Sequence, residues 1–249
     1  MARRGNSPQP FLRSIELDGG RILRGQYPFH LPIFSKPFEI RLDTMVTMLV
    51  GENGSGKSTL LEALAQRAGF GIEGGSRQHH QNQDDDAVSA LVPALRLQWS
   101  YQGVRGFFLR AESFYKFAEY LERQGSTFRA YGGKSLLAQS HGESFLALFE
   151  HNFEDGLYIL DEPEAALSPN RQLAFLAILH DLTRNGGAQF IIATHSPILL
   201  AFPGATILSL DSGEFAKTEY RDTEHYRVTR SFLEAPERYF RHLFSEEDS

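Results

Sequence analysis

The chemistry in this chain is concentrated in GENGSGKST, Gly51 to Thr59. Glycines let a backbone curl until several N–H groups face one point, and the start of a following helix adds positive potential there. The pattern is G-x-x-x-x-G-K-[ST]. It follows the apolar run TMVTMLV and precedes a helical segment, the setting a phosphate-binding loop requires. Gly51, Asn53, Gly54, Ser55 and Gly56 then face nucleotide phosphates, Lys57 reaches the outer phosphates, Ser58 can ligate Mg²⁺, and Thr59 completes the motif.

Two further strand ends carry acid–base groups. LYILDEPEAALSP (Leu157 to Pro169) is an apolar strand that ends in Asp161-Glu162. An aspartate at such a tip can hold Mg²⁺, directly or through water. Glu162, one residue on, points elsewhere and can orient and deprotonate an attacking water. A surface acidic pair is the plainer alternative. FIIATHSP ends in Thr194-His195-Ser196. His195 reads either as a hydrogen-bonded strand-end histidine or as a residue near a γ-phosphate.

Those strand ends need a frame. TMVTMLV, LYILD and QFIIAT are nearly continuous apolar runs, as expected of strands buried on both faces of a parallel sheet. FLRSIEL and PFEIRL alternate apolar and polar residues, as half-exposed antiparallel strands do. Helices are expected over Ser58–Arg67, Ser113–Arg123, Glu143–His151 and Asn170–Thr183. The pattern predicts an α/β fold with a mostly parallel sheet flanked by helices, an N-terminal antiparallel β annex and a short helical insert. The three motif-bearing strand ends would meet at one edge, where such sheets bind ligands. The C-terminal stretch from Asp222 reads as helix broken near Pro236. Its aromatics Tyr226, Phe232, Tyr239, Phe240 and Phe244 are expected to pack on the core.

Composition narrows the classes. The 249 residues suit a single domain with a sizeable core, and 41% hydrophobic with 22% charged residues is ordinary for a globular chain. The formal net charge of −6 argues against a dedicated nucleic-acid binder, although arginines cluster near the C-terminus. With no cysteine, disulfides and thiolate metal sites are excluded, and a reducing cytoplasm fits. FIIATHSPILLAF is too short and interrupted to span a bilayer, so no direct membrane insertion is expected. Gly71–Asp86 reads as a flexible loop. Its His79, His80 and aspartates match no standard metal spacing.

One motif remains. AQSHGESF, Ala138 to Phe145, has the shape of a second phosphate-facing turn opening a helix, or else a helix N-cap. The order phosphate loop, Ser-x-Gly-Glu turn, Asp-Glu-Pro and strand-end His resembles that of the ABC-type ATPases. Ser140 lies 21 positions before Asp161, and Glu162 lies 33 before His195, spacings the family uses. The resemblance covers about Phe11 to Leu210 and implies a P-loop NTPase fold of the ABC-type nucleotide-binding kind.

In that family two chains pack head to tail, and each signature turn closes the other's γ-phosphate site. The resemblance therefore implies that Ser140, His141, Gly142 and Glu143 act in trans in an ATP-bound homodimer. It implies ATP and Mg²⁺ as nucleotide and cofactor, Ser58 and Asp161 as metal ligands, and Lys57, Glu162 and His195 as the catalytic groups. His141 replaces a glycine of the usual turn, and Ser168 stands where transporter ATPases usually carry aspartate. The glutamine that links Mg²⁺ to the helical lobe has no clear match; Glu112, beside Arg110, is the candidate by position. Tyr27 and Phe29 are candidates for stacking on adenine.

The insert from Glu112 to Ser140 is 28 positions long. It is short for a transporter's docking lobe and carries no coiled-coil heptads. The expectation is a single ABC-type ATPase domain over 1–249 with a helical lobe near 113–155 and a C-terminal helical extension at 222–249. It resembles the soluble repair, chromosome-maintenance and defence branch. The activity implied is hydrolysis of the ATP β–γ anhydride, cycling as a switch with an unidentified protein partner. The alternatives are a partner-binding switch with slow hydrolysis, a DNA-directed repair or defence factor, and, least of all, a transporter subunit.

Overall fold

A computed structural model describes residues 9–71, 88–100, 104–114, 141–152, 155–184 and 186–244. The loop expectation at 72–86, with His79 and His80, lies outside these residues. So do Ser140 and the expected helix beyond Phe114.

The two kinds of strand pattern build two sheets. The alternating runs become β1 (Leu12–Leu17) and β2 (Phe38–Arg41), paired antiparallel with a third strand, β4 (Leu95–Trp99), in the order β2-β1-β4. The continuous apolar runs become β3 (Val46–Val50), β6 (Gly156–Asp161) and β7 (Ala188–Ala193), buried at every position. With β5 (Gly106–Arg110), β8 (Thr206–Ser209) and β9 (Ala216–Thr218) they form a sheet ordered β5-β6-β7-β3-β8-β9. It is parallel from β5 to β8; β9 closes the edge antiparallel.

Side-chain alternation sends each central strand into two cores. Leu49, Leu157, Ile159, Ile191 and Ala193 face one side, where helix α1 (Lys57–Ala68) lies between the two sheets. Val46, Met48, Val50, Leu160, Phe190 and Ile192 face the other. There α2 (His141–Asn152), α3 (Pro169–Arg184) and the short α4 (Pro197–Leu200) cover the sheet. Phe145, Phe149 and Phe175 join α2 to α3, with ring centroids 4.8 to 6.0 Å apart. Burial of this apolar surface from both faces is the main driving force that fixes the parallel core.

Gln189 is the one polar side chain of β7, and it is fully buried. Its amide accepts from Leu12 N–H at 2.9 Å and donates to Leu12 C=O at 2.9 Å. Leu12 sits where the β1–β4 register slips, so its main-chain groups need partners from outside the ladder. A side chain of one sheet thus satisfies the irregular strand of the other.

The C-terminal stretch forms α5 (Glu224–Glu234) and α6 (Pro236–Leu243), with the break at Ala235 just before Pro236. Thr223 caps α5 by accepting from Tyr226 N–H. The aromatics here do not pack on the core, against expectation. No residue of either helix is buried, and Phe232, Phe240 and Phe244 are exposed. Phe232 contacts Tyr239 and Phe240, and Phe240 stacks on Phe244. The rings pack on each other, because the main sheet's faces are already filled by α1, α2, α3 and α4.

Candidate functional site

β6, β7 and β3 are neighbours in the sheet and run parallel. Their C-terminal ends therefore place Asp161-Glu162, Thr194-His195 and the loop after Val50 side by side. This is the edge at which parallel α/β sheets form ligand crevices.

The loop Gly51–Gly56 needs its glycines. Gly54 has φ 81°, and Gly56 has φ 99° with Ile33 and Phe34 so close that a Cβ would meet them at 2.9 and 3.0 Å. No ordinary side chain fits at Gly56 in either conformation or space. Lys57 is buried and folds back, donating to Gly51 C=O at 2.6 Å and Glu52 C=O at 3.0 Å. Burial lowers its pKa, while Glu162, Asp161, Asp211 and Glu164 oppose that shift. Asp211, past β8, ties the loop by accepting from Glu52 N–H at 2.9 Å. Asn53 lies exposed on the turn, and the Ser55 hydroxyl is buried with no partner among the described residues.

Ser58, in the first turn of α1, donates to Asp161 Oδ1 at 3.1 Å. A hydroxyl and a carboxylate at this separation are hard oxygen donors of the kind Mg²⁺ takes, and they fit such an ion. Burial raises the Asp161 pKa; Arg110 and the Ser58 hydrogen bond pull the other way. Arg110, at the end of β5, spans Asp161 Oδ2 at 3.3 Å and Glu62 on α1. Arg110, rather than its neighbour Glu112, thus reaches the acid. Glu112 is exposed, with no bond to Ser58 or Asp161 among the described residues.

Glu162 has φ 48° and ψ 53°, the one non-glycine left-handed residue among those described. Such a conformation costs on the order of 1 kcal/mol and persists where surroundings enforce it. Here Glu162 N–H is held by Ala193 C=O at 2.9 Å, and Pro163 follows at once. The twist separates Glu162 from Asp161 and brings its Oε1 3.4 Å from His195 Nε2.

Two residues around His195 were not singled out from the sequence. Glu164 accepts from His195 N–H at 2.5 Å, and burial raises the pKa of its carboxyl. His225 of α5 places Nε2 2.7 Å from His195 Nδ1. His195 Nε2 is buried and not aligned for a hydrogen bond with Glu162. Burial, then Lys57, then His225 lower the His195 pKa. A second acid in EPEAAL and a histidine 30 positions on carry no local signal that links them to His195.

Of the second turn, the described residues begin at His141. Gly142 and Glu143 open α2, and what surrounds Gly142 is the Arg171 side chain and the Ala166 carbonyl. Glu143 pairs with Arg171 of α3 at 3.2 Å. The start of α2 therefore rests on the segment that follows Glu162. Ser140 and the His141 side chain lie outside the described residues. Of the adenine candidates, Phe29 is buried, whereas Tyr27 is 40% exposed and its hydroxyl meets Thr59 Oγ1 at 2.9 Å.

This fold is that of the P-loop NTPases, with a mostly parallel sheet, flanking helices and an added antiparallel sheet, as in ABC and SMC-head ATPases. Two AAA-domain family models match separate segments of the chain. One, described as an AAA domain, matches residues 28–90, which hold the phosphate loop. The other, an AAA domain described with AbiEii toxin and Type IV TA system, matches residues 135–201, from the second turn to His195. Among solved structures, an SmcHead bound to the C-winged helix domain of ScpA matches with TM-score 0.52 and 13% identity. The match covers 84% of this chain and 98% of that one. A metal-chelate type ABC transporter in an inward-facing conformation matches with TM-score 0.50 and 17% identity, over 87% and 88%. The tungstate uptake system ATP-binding protein TupC of Campylobacter jejuni is 28% identical over 72% of this chain. The chain spans 58% of the length of that relative. Among the described residues, no helix is long and apolar enough to cross a membrane.

Proposed function

We propose that the chain is an Mg²⁺-dependent ATPase that works as a head-to-tail homodimer with ATP at the interface. The observation that carries this reading is the meeting of Lys57, Ser58, Asp161, Glu162 and His195 at the ends of three adjacent strands. The loop N–H groups and Lys57 bind the phosphates, and Lys57 only has to leave two loop carbonyls to do so. Ser58 and Asp161 would hold Mg²⁺, which supplies charge neutralisation on the phosphate oxygens. Glu162 takes the proton of the attacking water, and His195 faces the γ-phosphate from the opposite side. Ser140, His141, Gly142 and Glu143 serve the partner's nucleotide. ATP then favours the closed dimer through contacts absent in the open one, and hydrolysis releases it.

A second reading is a switch whose output is the grip on a protein partner, with hydrolysis as a timer. The exposed aromatic face of α5 and α6 favours it. Slow basal turnover that a partner accelerates would distinguish it.

The test is the solution mass of Glu162→Gln with and without Mg²⁺-ATP, beside the double variant with Ser140→Arg. We expect Glu162→Gln to bind ATP, turn over about 10²–10⁴-fold more slowly and double in mass with ATP. The Ser140→Arg change should abolish the doubling. Normal turnover would remove Glu162 as base, and a monomer with ATP bound would remove the dimer.

A further inference from the structure

The bond between His195 Nδ1 and His225 Nε2 leaves a choice of proton position. Each neutral imidazole has one donor nitrogen and one acceptor. If His195 donated from Nδ1, its Nε2 would carry a lone pair 3.4 Å from the Glu162 carboxylate, an acceptor beside an acceptor though not aligned on it. If His225 donates from Nε2 instead, His195 keeps its own proton on Nε2. That N–H then lies beside Glu162 but off its hydrogen-bonding direction, and is left for a phosphate oxygen that enters. Electrostatics favours the second arrangement. It also accounts for the buried Nε2 that lacks an aligned partner, since a donor there awaits an acceptor.

We infer that His225 is a positioning residue, which fixes His195 as the Nε2–H tautomer and aims that proton at the nucleotide's outer phosphate. The inference rests on the ATPase reading above. It makes the C-terminal extension part of the site rather than an appendage. The lowered pKa of His195 agrees, because a neutral ring needs its tautomer set from outside. The attachment of α5 is local to this bond. Thr223 is buried, donates to Tyr220 C=O at 2.7 Å and caps the helix, and Tyr226 packs on Tyr220. His225 lies between those two anchored residues, so its ring is held while the rest of α5 projects outward. Glu164 holds the main chain of His195, and His225 holds its ring.

The experiment compares the wild type with His225→Leu and His225→Gln. Glutamine can place an amide N–H where the His225 Nε2–H stands; leucine cannot. Long-range ¹H–¹⁵N spectra of the histidines should show His195 as the Nε2–H tautomer in the wild type and a shift towards Nδ1–H in His225→Leu. ATP turnover should fall about 10–100-fold in kcat for His225→Leu, with KM for ATP within about threefold. His225→Gln should stay within about threefold of wild type in both. If His225→Leu does not fold, His225→Phe keeps the ring volume without a nitrogen and takes its place. An Nδ1–H tautomer in the wild type, or a nitrogen-free variant that turns over normally, overturns the inference. A wild type that hydrolyses no ATP sinks the ATPase reading alone, and the tautomer spectra still decide the role of His225.

Discussion

Gln189 and Leu12 stand 177 positions apart and share two hydrogen bonds of 2.9 Å, with both residues fully buried. Replacing Gln189 by leucine keeps the volume roughly constant and strands one N–H and one C=O in an apolar layer. An unsatisfied buried group costs about 1–3 kcal/mol. We expect Gln189→Leu to lose about 2–4 kcal/mol of unfolding free energy by urea titration. A loss below about 0.5 kcal/mol would show that β1 finds other partners.

Tyr27 lies exposed beside the first turn of α1, and Phe29 lies inside the core. If Tyr27 stacks on adenine, Tyr27→Ala removes a contact worth about 1–3 kcal/mol, or about 5–150-fold in ATP affinity. Tyr27→Phe keeps the ring and should bind ATP nearly as wild type. Fluorescent-nucleotide titration measures both. Equal affinity for Tyr27→Ala would place the base elsewhere.

His195 provides a pH prediction. Its folded pKa is depressed below the ordinary 6.5, mainly by burial and then by Lys57 and His225. Between the two values the unfolded chain binds more protons, so stability rises with pH through that window and falls on acidification below about 6.5. The raised pKa values of Asp161 and Glu164 act in the opposite sense, as their burden grows when pH rises through the carboxylate range. Urea midpoints at pH 7.5 and 5.5 for wild type and His195→Asn separate the two. The wild type should lose more than the variant on acidification. Equal losses would mean that His195 does not titrate in this window.

The parallel core was legible because its strands are buried on both faces and must therefore be apolar throughout. Val46–Val50, Gly156–Asp161 and Ala188–Ala193 could be read without knowing their neighbours. The catalytic candidates were legible for a related reason. Phosphate binding needs glycines, a lysine and a hydroxyl at adjacent positions, so Gly51 to Thr59 carries its chemistry locally. Strand β4 was not singled out, and neither was the contact of Arg110 with Asp161. Both depend on which strand lies alongside, and LRLQW and FFLRAES carry no record of that.

The sequence by itself determined the phosphate loop, the acid pair, the strand-end histidine and the buried strands, because each is set by residues a few positions apart. Only the tertiary structure decided that β7 separates β6 from β3, that Gln189 reaches Leu12, and that the C-terminal aromatics stay outside. It alone brought His225 to His195. Such contacts join residues tens to hundreds of positions apart, and they follow from how layers fill space once the core has formed. No local pattern of residue types encodes them.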